Sequence, residues 1–139
     1  MLVLLASLIT AYLTARRDRP DRPSALERWV VRAPLGLCFG WISVATIANV
    51  SNALYAADWS GWGIPAEWWG VIVLVVGAIV AVAGLAREGD AVFAAVFAWA
   101  FAGISAATPS PLVRVVAASL AGLIAIGIAA SAVVRRRLV

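Results

Sequence analysis

The 139-residue sequence contains no histidine and no lysine, a single cysteine, Cys38, and a single methionine, Met1. Each absence removes a class of chemistry. Without histidine there is no imidazole for a proton relay or a metal, and with Met1 the only thioether, the common axial ligands of a haem iron are missing too. Without lysine, all 11 basic side chains are arginine, so no Schiff base to retinal or another carbonyl can form. A lone cysteine makes no internal disulfide, and Cys38 lies in an apolar run where it reads as a small packing residue. Charge is also scarce: 13% of residues are charged, whereas 64% are hydrophobic. A soluble domain of this length needs more polar surface, so an integral membrane protein is expected, with the lipid bilayer as its first partner. The net charge of +4 is then a matter of topology, and no nucleic-acid partner is expected.

The seven acidic residues all fall in loops or at expected helix ends. No nucleophile with its base, phosphate loop or metal-ligand spacing accompanies them, so neither an enzymatic activity nor a cofactor is expected. Coupled ion transport, which needs ionisable groups within the membrane, is disfavoured for the same reason.

Four segments, 34–57, 66–86, 91–107 and 112–134, approach the roughly 20 apolar residues that a membrane-spanning helix needs. A fifth, 2–15, is short. It lacks a basic leader and its arginines follow the apolar run, so it reads as a first helix entering from outside and not as a signal peptide. The fold class expected is all-α, a single transmembrane domain over residues 1–139 with about five helices. The linker 16–33 carries six arginines against Asp18, Asp21 and Glu27. Together with Arg87, Arg135, Arg136 and Arg137, five alternating spans gather ten arginines on one side and leave Arg114 on the other. Arginine resists translocation, which implies a cell-membrane protein with its N-terminus outside and its C-terminus cytoplasmic.

The connections carry matching punctuation. Ser24 and Glu27 form a capping box, and Leu26, Trp29, Val30 and Ala33 follow at helical spacing, predicting a short interfacial helix. Pro34 suits the start of the second span, Pro65 with Glu67 the third, and Ser110 with Pro111 the fifth. Gly89 can close one helix and Asp90 cap the next. Gly70, Gly77 and Gly84, with Ala81, make one smooth face, and Ala117, Ala121, Ala125 and Ala129 another. Such faces let helices approach closely; the glycine face is also the expected contact of any homo-oligomer. Phe93, Phe97 and Phe101 form a stripe at i, i+4, i+8 that reads as a lipid-facing or core ridge.

Two stretches stand apart. In GWISVATIANVSN, residues 40–52, and on to Tyr55, helical spacing collects Trp41, Ala45, Ala48, Asn49, Asn52 and Tyr55 on one face. An unpaired amide in hydrocarbon costs several kcal/mol, so this face is expected to point into the bundle, against another helix or a ligand. DWSGWGIPAEWWG, residues 58–70, holds Trp59, Trp62, Trp68 and Trp69 with two acids and no base. It is either an aromatic belt at headgroup level or a lid whose indoles stack on a flat ligand.

PLGLCFGWISVATIANV, then WSGWG and WWGVIVL, then DAVFAAVFAWA with ISAA close behind, resemble the carboxyl-terminal part of the longer tryptophan-rich sensory proteins, relatives of the TspO/MBR translocator family. The resemblance runs from about Trp29 to the end, and GWISVATIAN is its most specific element. It implies an all-helical membrane bundle that binds or senses porphyrins, sterols or other hydrophobic heterocycles. Carried over by position, Trp41, Asn49 and Asn52, with the loop tryptophans, are the implied contacts. The candidate ligand-binding set is therefore Trp41, Asn49, Asn52, Tyr55, Trp59, Trp62, Trp68 and Trp69. The alternatives are a structural or assembly subunit of a membrane complex, or a fragment of a longer sensory protein.

Overall fold

A computed structural model describes residues 28–137 together with residues 3, 6, 7, 9–11 and 14. Four helices dominate: α1 (Ala33–Ala56), α2 (Ala66–Glu88), α3 (Ala91–Ala107) and α4 (Pro111–Arg137). The described residues of the first apolar segment are helical, and the hydroxyls of Ser7, Thr10 and Thr14 donate to carbonyls four residues back. There is no strand among the described residues. The protein is an all-α membrane bundle: α1 with its lead-in, α2 and α4 to Val134 are long and apolar enough to cross a bilayer, and α3, at 17 residues, is shorter.

Local sequence accounts for the helix ends. Pro34 lies in the first turn of α1. Glu67 lies in the first turn of α2, which ends at Gly89 with φ 64°, a left-handed conformation that suits glycine. The Gly89 N–H donates to the Leu85 carbonyl at 3.0 Å, and the Asp90 side chain then accepts from the Phe93 N–H at 3.0 Å to cap α3. Ser110 accepts from the Val113 N–H at 3.4 Å at the start of α4. The basic linker and the Ser24/Glu27 capping box lie outside the described residues, except for the linker's last turn. That turn, Arg28–Arg32, is π-helical and runs without a break into α1. Where a separate interfacial helix is expected, its described end is thus an extension of the second span.

Helix α3 is the hub, packed against α1, α2 and α4, and α2 also packs on α4. Its phenylalanine stripe is the core ridge. Phe93, Phe97 and Phe101 are buried in succession, with ring centroids 5.2 and 6.2 Å apart. They fit the glycine face of α2: a Cβ built on Gly77 would lie 3.1 Å from Phe101, and one on Gly84 only 2.6 Å from Phe93. Gly70, at the other end of that face, lies beside Val113 of α4. All three glycines therefore serve contacts within the chain.

Helix α1 approaches α3 through a different pair, Gly36 and Gly40, four apart in GLCFG and both buried. A Cβ on Gly40 would meet Val96 at 3.0 Å, and one on Gly36 would meet the Asp90 carboxylate at 2.7 Å. Close backbone approach through small residues is what holds helices together where lipid offers no hydrophobic drive. Gly36→Leu displaces the carboxylate that caps α3, and the expected cost is about 2 kcal/mol, from a lost cap and overpacking. The midpoint of thermal unfolding in detergent checks it.

The packing divides the polar and aromatic face of α1, which is expected to point into the bundle: Ala48, Asn52 and Tyr55 border a gap between α1 and α2, whereas Trp41 and Asn49 do not. Trp41, Ala48, Asn49, Asn52 and Tyr55 are all exposed, Tyr55 to 86%. The face that meets α3 instead carries Gly36 and Gly40, with Phe39 stacked on Phe93 at 5.0 Å, and α1's one buried polar side chain is Thr46. For Asn49 the physical reason is that one amide N–H is met locally. Asn49 Nδ2 donates to the Ala45 carbonyl at 2.8 Å, as Ser43 and Thr46 donate to Phe39 and Ile42, so no second helix is required to satisfy it.

Candidate functional site

Helices α1 and α2 are consecutive but have no extended contact with each other, because the phenylalanine ridge of α3 stands between them. The gap they leave at the tryptophan-loop end is a cavity of about 690 Å³. One wall is α1, with Val44, Ile47, Ala48, Ser51, Asn52 and Tyr55; the other is α2, with Gly70, Val73 and Leu74. Phe97, Phe101 and Ile104 of α3 form its floor, Val113 of α4 closes a corner, and the loop from Asp58 to Ile64 borders it. This size and this mainly apolar lining, with a few polar groups, match small-molecule sites. At the other end of the same gap a smaller cavity, about 200 Å³, is lined by Ile9, Phe39, Val80, Gly84 and Phe93 among others.

The loop is tightly wound. Asp58, Gly61, Trp62 and Gly63 all have positive φ, between 48° and 80°. For Asp58 and Trp62 that is a conformation L side chains rarely adopt, with a cost of order 1–3 kcal/mol each that surrounding contacts must offset. The offsetting contacts are indoles. Trp59, Trp62 and Trp69 pack with centroids 5.1–6.0 Å apart. Trp69 Nε1–H donates to the Gly61 carbonyl at 2.9 Å, tying the first turn of α2 to the loop's 3₁₀ turn at Gly61–Gly63. A Cβ on Gly61 would lie 3.2 Å from that same Nε1, so glycine is needed there twice over, for its φ and for the space.

The structure divides the eight candidate residues evenly. Asn52, Tyr55, Trp59 and Trp69 line the cavity. Trp62 belongs to the indole cluster but faces outward, 77% exposed, and Trp68 is 54% exposed at the start of α2. Asn49 is bonded to its own helix. Trp41 lies on the outer α1–α3 surface, its ring centroid 5.7 Å from Trp99. Sequence reasoning did not select Phe97, Phe101, Ile104 or Asp58 as lining residues. The phenylalanine stripe was a visible signal, but only the splay of α1 from α2 turns part of a core ridge into a cavity floor.

Arg114, the basic residue nearest this end among those described, is turned away. Its Nη2 donates to the Thr108 carbonyl at 2.9 Å, and Ser105 Oγ donates to the Arg114 carbonyl, so it braces the α3–α4 connection. It does not line the cavity.

A family model described as TSPO-like protein matches residues 1–130. The match starts at residue 1, and so takes in the first apolar segment and the basic linker, which the motif resemblance from Trp29 onward did not reach. No match was found among curated proteins or among solved structures.

Proposed function

The chain belongs to the TSPO-like protein family, and on that premise we propose that this multi-pass membrane protein binds or senses a hydrophobic ligand, such as a porphyrin or another flat heterocycle, without enzymatic activity of its own. The observation that carries the reading is the 690 Å³ cavity at the tryptophan loop, with Trp59, Trp69 and Tyr55 on its border and Phe97 and Phe101 below. Indoles packed on one another and hydrogen-bonded to the loop are pre-positioned, so a ligand that stacks on them does not have to order them first.

The proposed orientation follows from arginine. The loop end of the bundle carries Arg114, while Arg87 and the start of α1 lie at the opposite end. A cytoplasmic position for that opposite end puts the cavity mouth on the outer face. Ser60→Cys in intact cells is expected to react with a membrane-impermeant maleimide. Labelling only after lysis would reverse the orientation.

Binding is tested by titrating the detergent-purified chain with an uncharged porphyrin, its carboxyl groups esterified, and following tryptophan fluorescence. Saturable quenching, unchanged in Trp41→Phe, is the expected result. Linear quenching that merely tracks porphyrin partition into micelles would sink the ligand-binding reading.

A further inference from the structure

The cavity's charge inventory narrows its ligand class beyond hydrophobicity. Among the described lining side chains, Asp58 is the one acidic or basic residue. Arg114, at the same end of the bundle, spends a guanidinium N–H on the Thr108 carbonyl and is not part of the lining. The other polar lining groups, from Ser51, Asn52, Tyr55 and Ser60, are neutral. A ligand carrying carboxylates would therefore meet a like charge at the mouth, with no cation among the described lining residues to offset it.

An organic cation meets the reverse situation. Asp58 lies two residues past the end of α1 and is exposed, and its N–H donates to the Tyr55 carbonyl at 3.2 Å, which holds the carboxylate's backbone next to Tyr55. Tyr55, Trp59 and Trp69 add electron-rich ring faces to the same lining, and such faces attract cations, best where water is excluded. The apolar floor at Phe97 and Phe101 lies on the far side. Resting on the reading of this cavity as a ligand site, we infer that it selects lipophilic organic cations over anions, with the cationic centre at Asp58 and the apolar groups against the phenylalanine floor.

Tetraphenylphosphonium and tetraphenylborate give a direct test, because they share a shape and differ in the sign of their charge. Each is titrated against the full chain in an uncharged detergent, with triphenylphosphine oxide as the neutral probe and empty micelles subtracted. The cation is expected to bind saturably and about fivefold more tightly than the anion, the upper end of what an exposed ion pair supplies. Asp58→Asn keeps a residue that tolerates positive φ, so the loop is retained, and the preference is expected to shrink to about twofold. If the neutral probe binds saturably but cation and anion bind alike, or if Asp58→Asn leaves the preference intact, the charge inference is overturned while the cavity reading stands. If none of the three probes saturates, the ligand-site reading fails and the charge inference goes with it.

Discussion

Phe97→Ala is expected to destabilise the bundle by about 2–3 kcal/mol, the largest effect of any single side-chain truncation among the described residues. Phe97 is fully buried at the centre of the ridge, in contact with Phe93 on one side and Phe101 on the other, and its ring edge comes within 3.7 Å of where a Gly77 Cβ would be. In water, truncating a buried phenylalanine costs about 3–5 kcal/mol, part of which is the transfer of the ring back to solvent. In a bilayer the unfolded reference is already apolar, so that part falls away and the lost dispersion contacts remain. The glycine at position 77 sharpens the loss, because α2 has no side chain there to move into the space. Reversible unfolding in mixed micelles measures it, and a loss below about 1 kcal/mol would show that the ridge is not what holds α2 to α3. The same substitution opens the cavity floor, since Phe97 also lines it.

The second large effect concerns ligand affinity. Replacing Trp59 and Trp69 together by alanine is expected to raise the Kd for the uncharged porphyrin ester about thirtyfold, from two aromatic contacts of about 1 kcal/mol each. The two rings touch, with centroids 5.1 Å apart, so the single substitutions are expected not to add up to the double one. Trp69→Phe separates two roles: it keeps a ring on the cavity and removes the hydrogen bond to the Gly61 carbonyl. Trp41→Ala is the control, because Trp41 packs on Trp99 outside the cavity. Equal losses in the control and the double variant would mean a general effect on the fold and would remove the tryptophan loop from the site.

Much of this architecture is legible residue by residue. Gly89 and Asp90 predict the tight turn between α2 and α3, and the structure has the left-handed glycine and the capping carboxylate there. These are local rules, each satisfied within a few residues of chain. The phenylalanine stripe shows a ridge but not what it faces. GLCFG went unread as a contact, although its two glycines, four apart, are the means by which α1 reaches α3. The polar face of α1 is legible only in part: Asn52 and Tyr55 border the cavity, whereas Asn49 turns one amide N–H to the carbonyl four residues back, an option open to any helical asparagine.

The sequence alone determined the membrane class, the helical content, the helix caps and the arginine asymmetry, because composition and short-range periodicity are properties of the chain before it folds. Only the tertiary structure decided which aromatics share a site. Whether Trp41 or Trp69 meets a ligand depends on which face of each helix turns toward α3, and small residues at positions 36, 40, 77 and 84 decide that by allowing close approach. The cavity is a remainder of that packing. Helices α1 and α2 are each drawn to α3 by their own glycines, and the space left between them at the tryptophan loop is long-range geometry that no local pattern encodes.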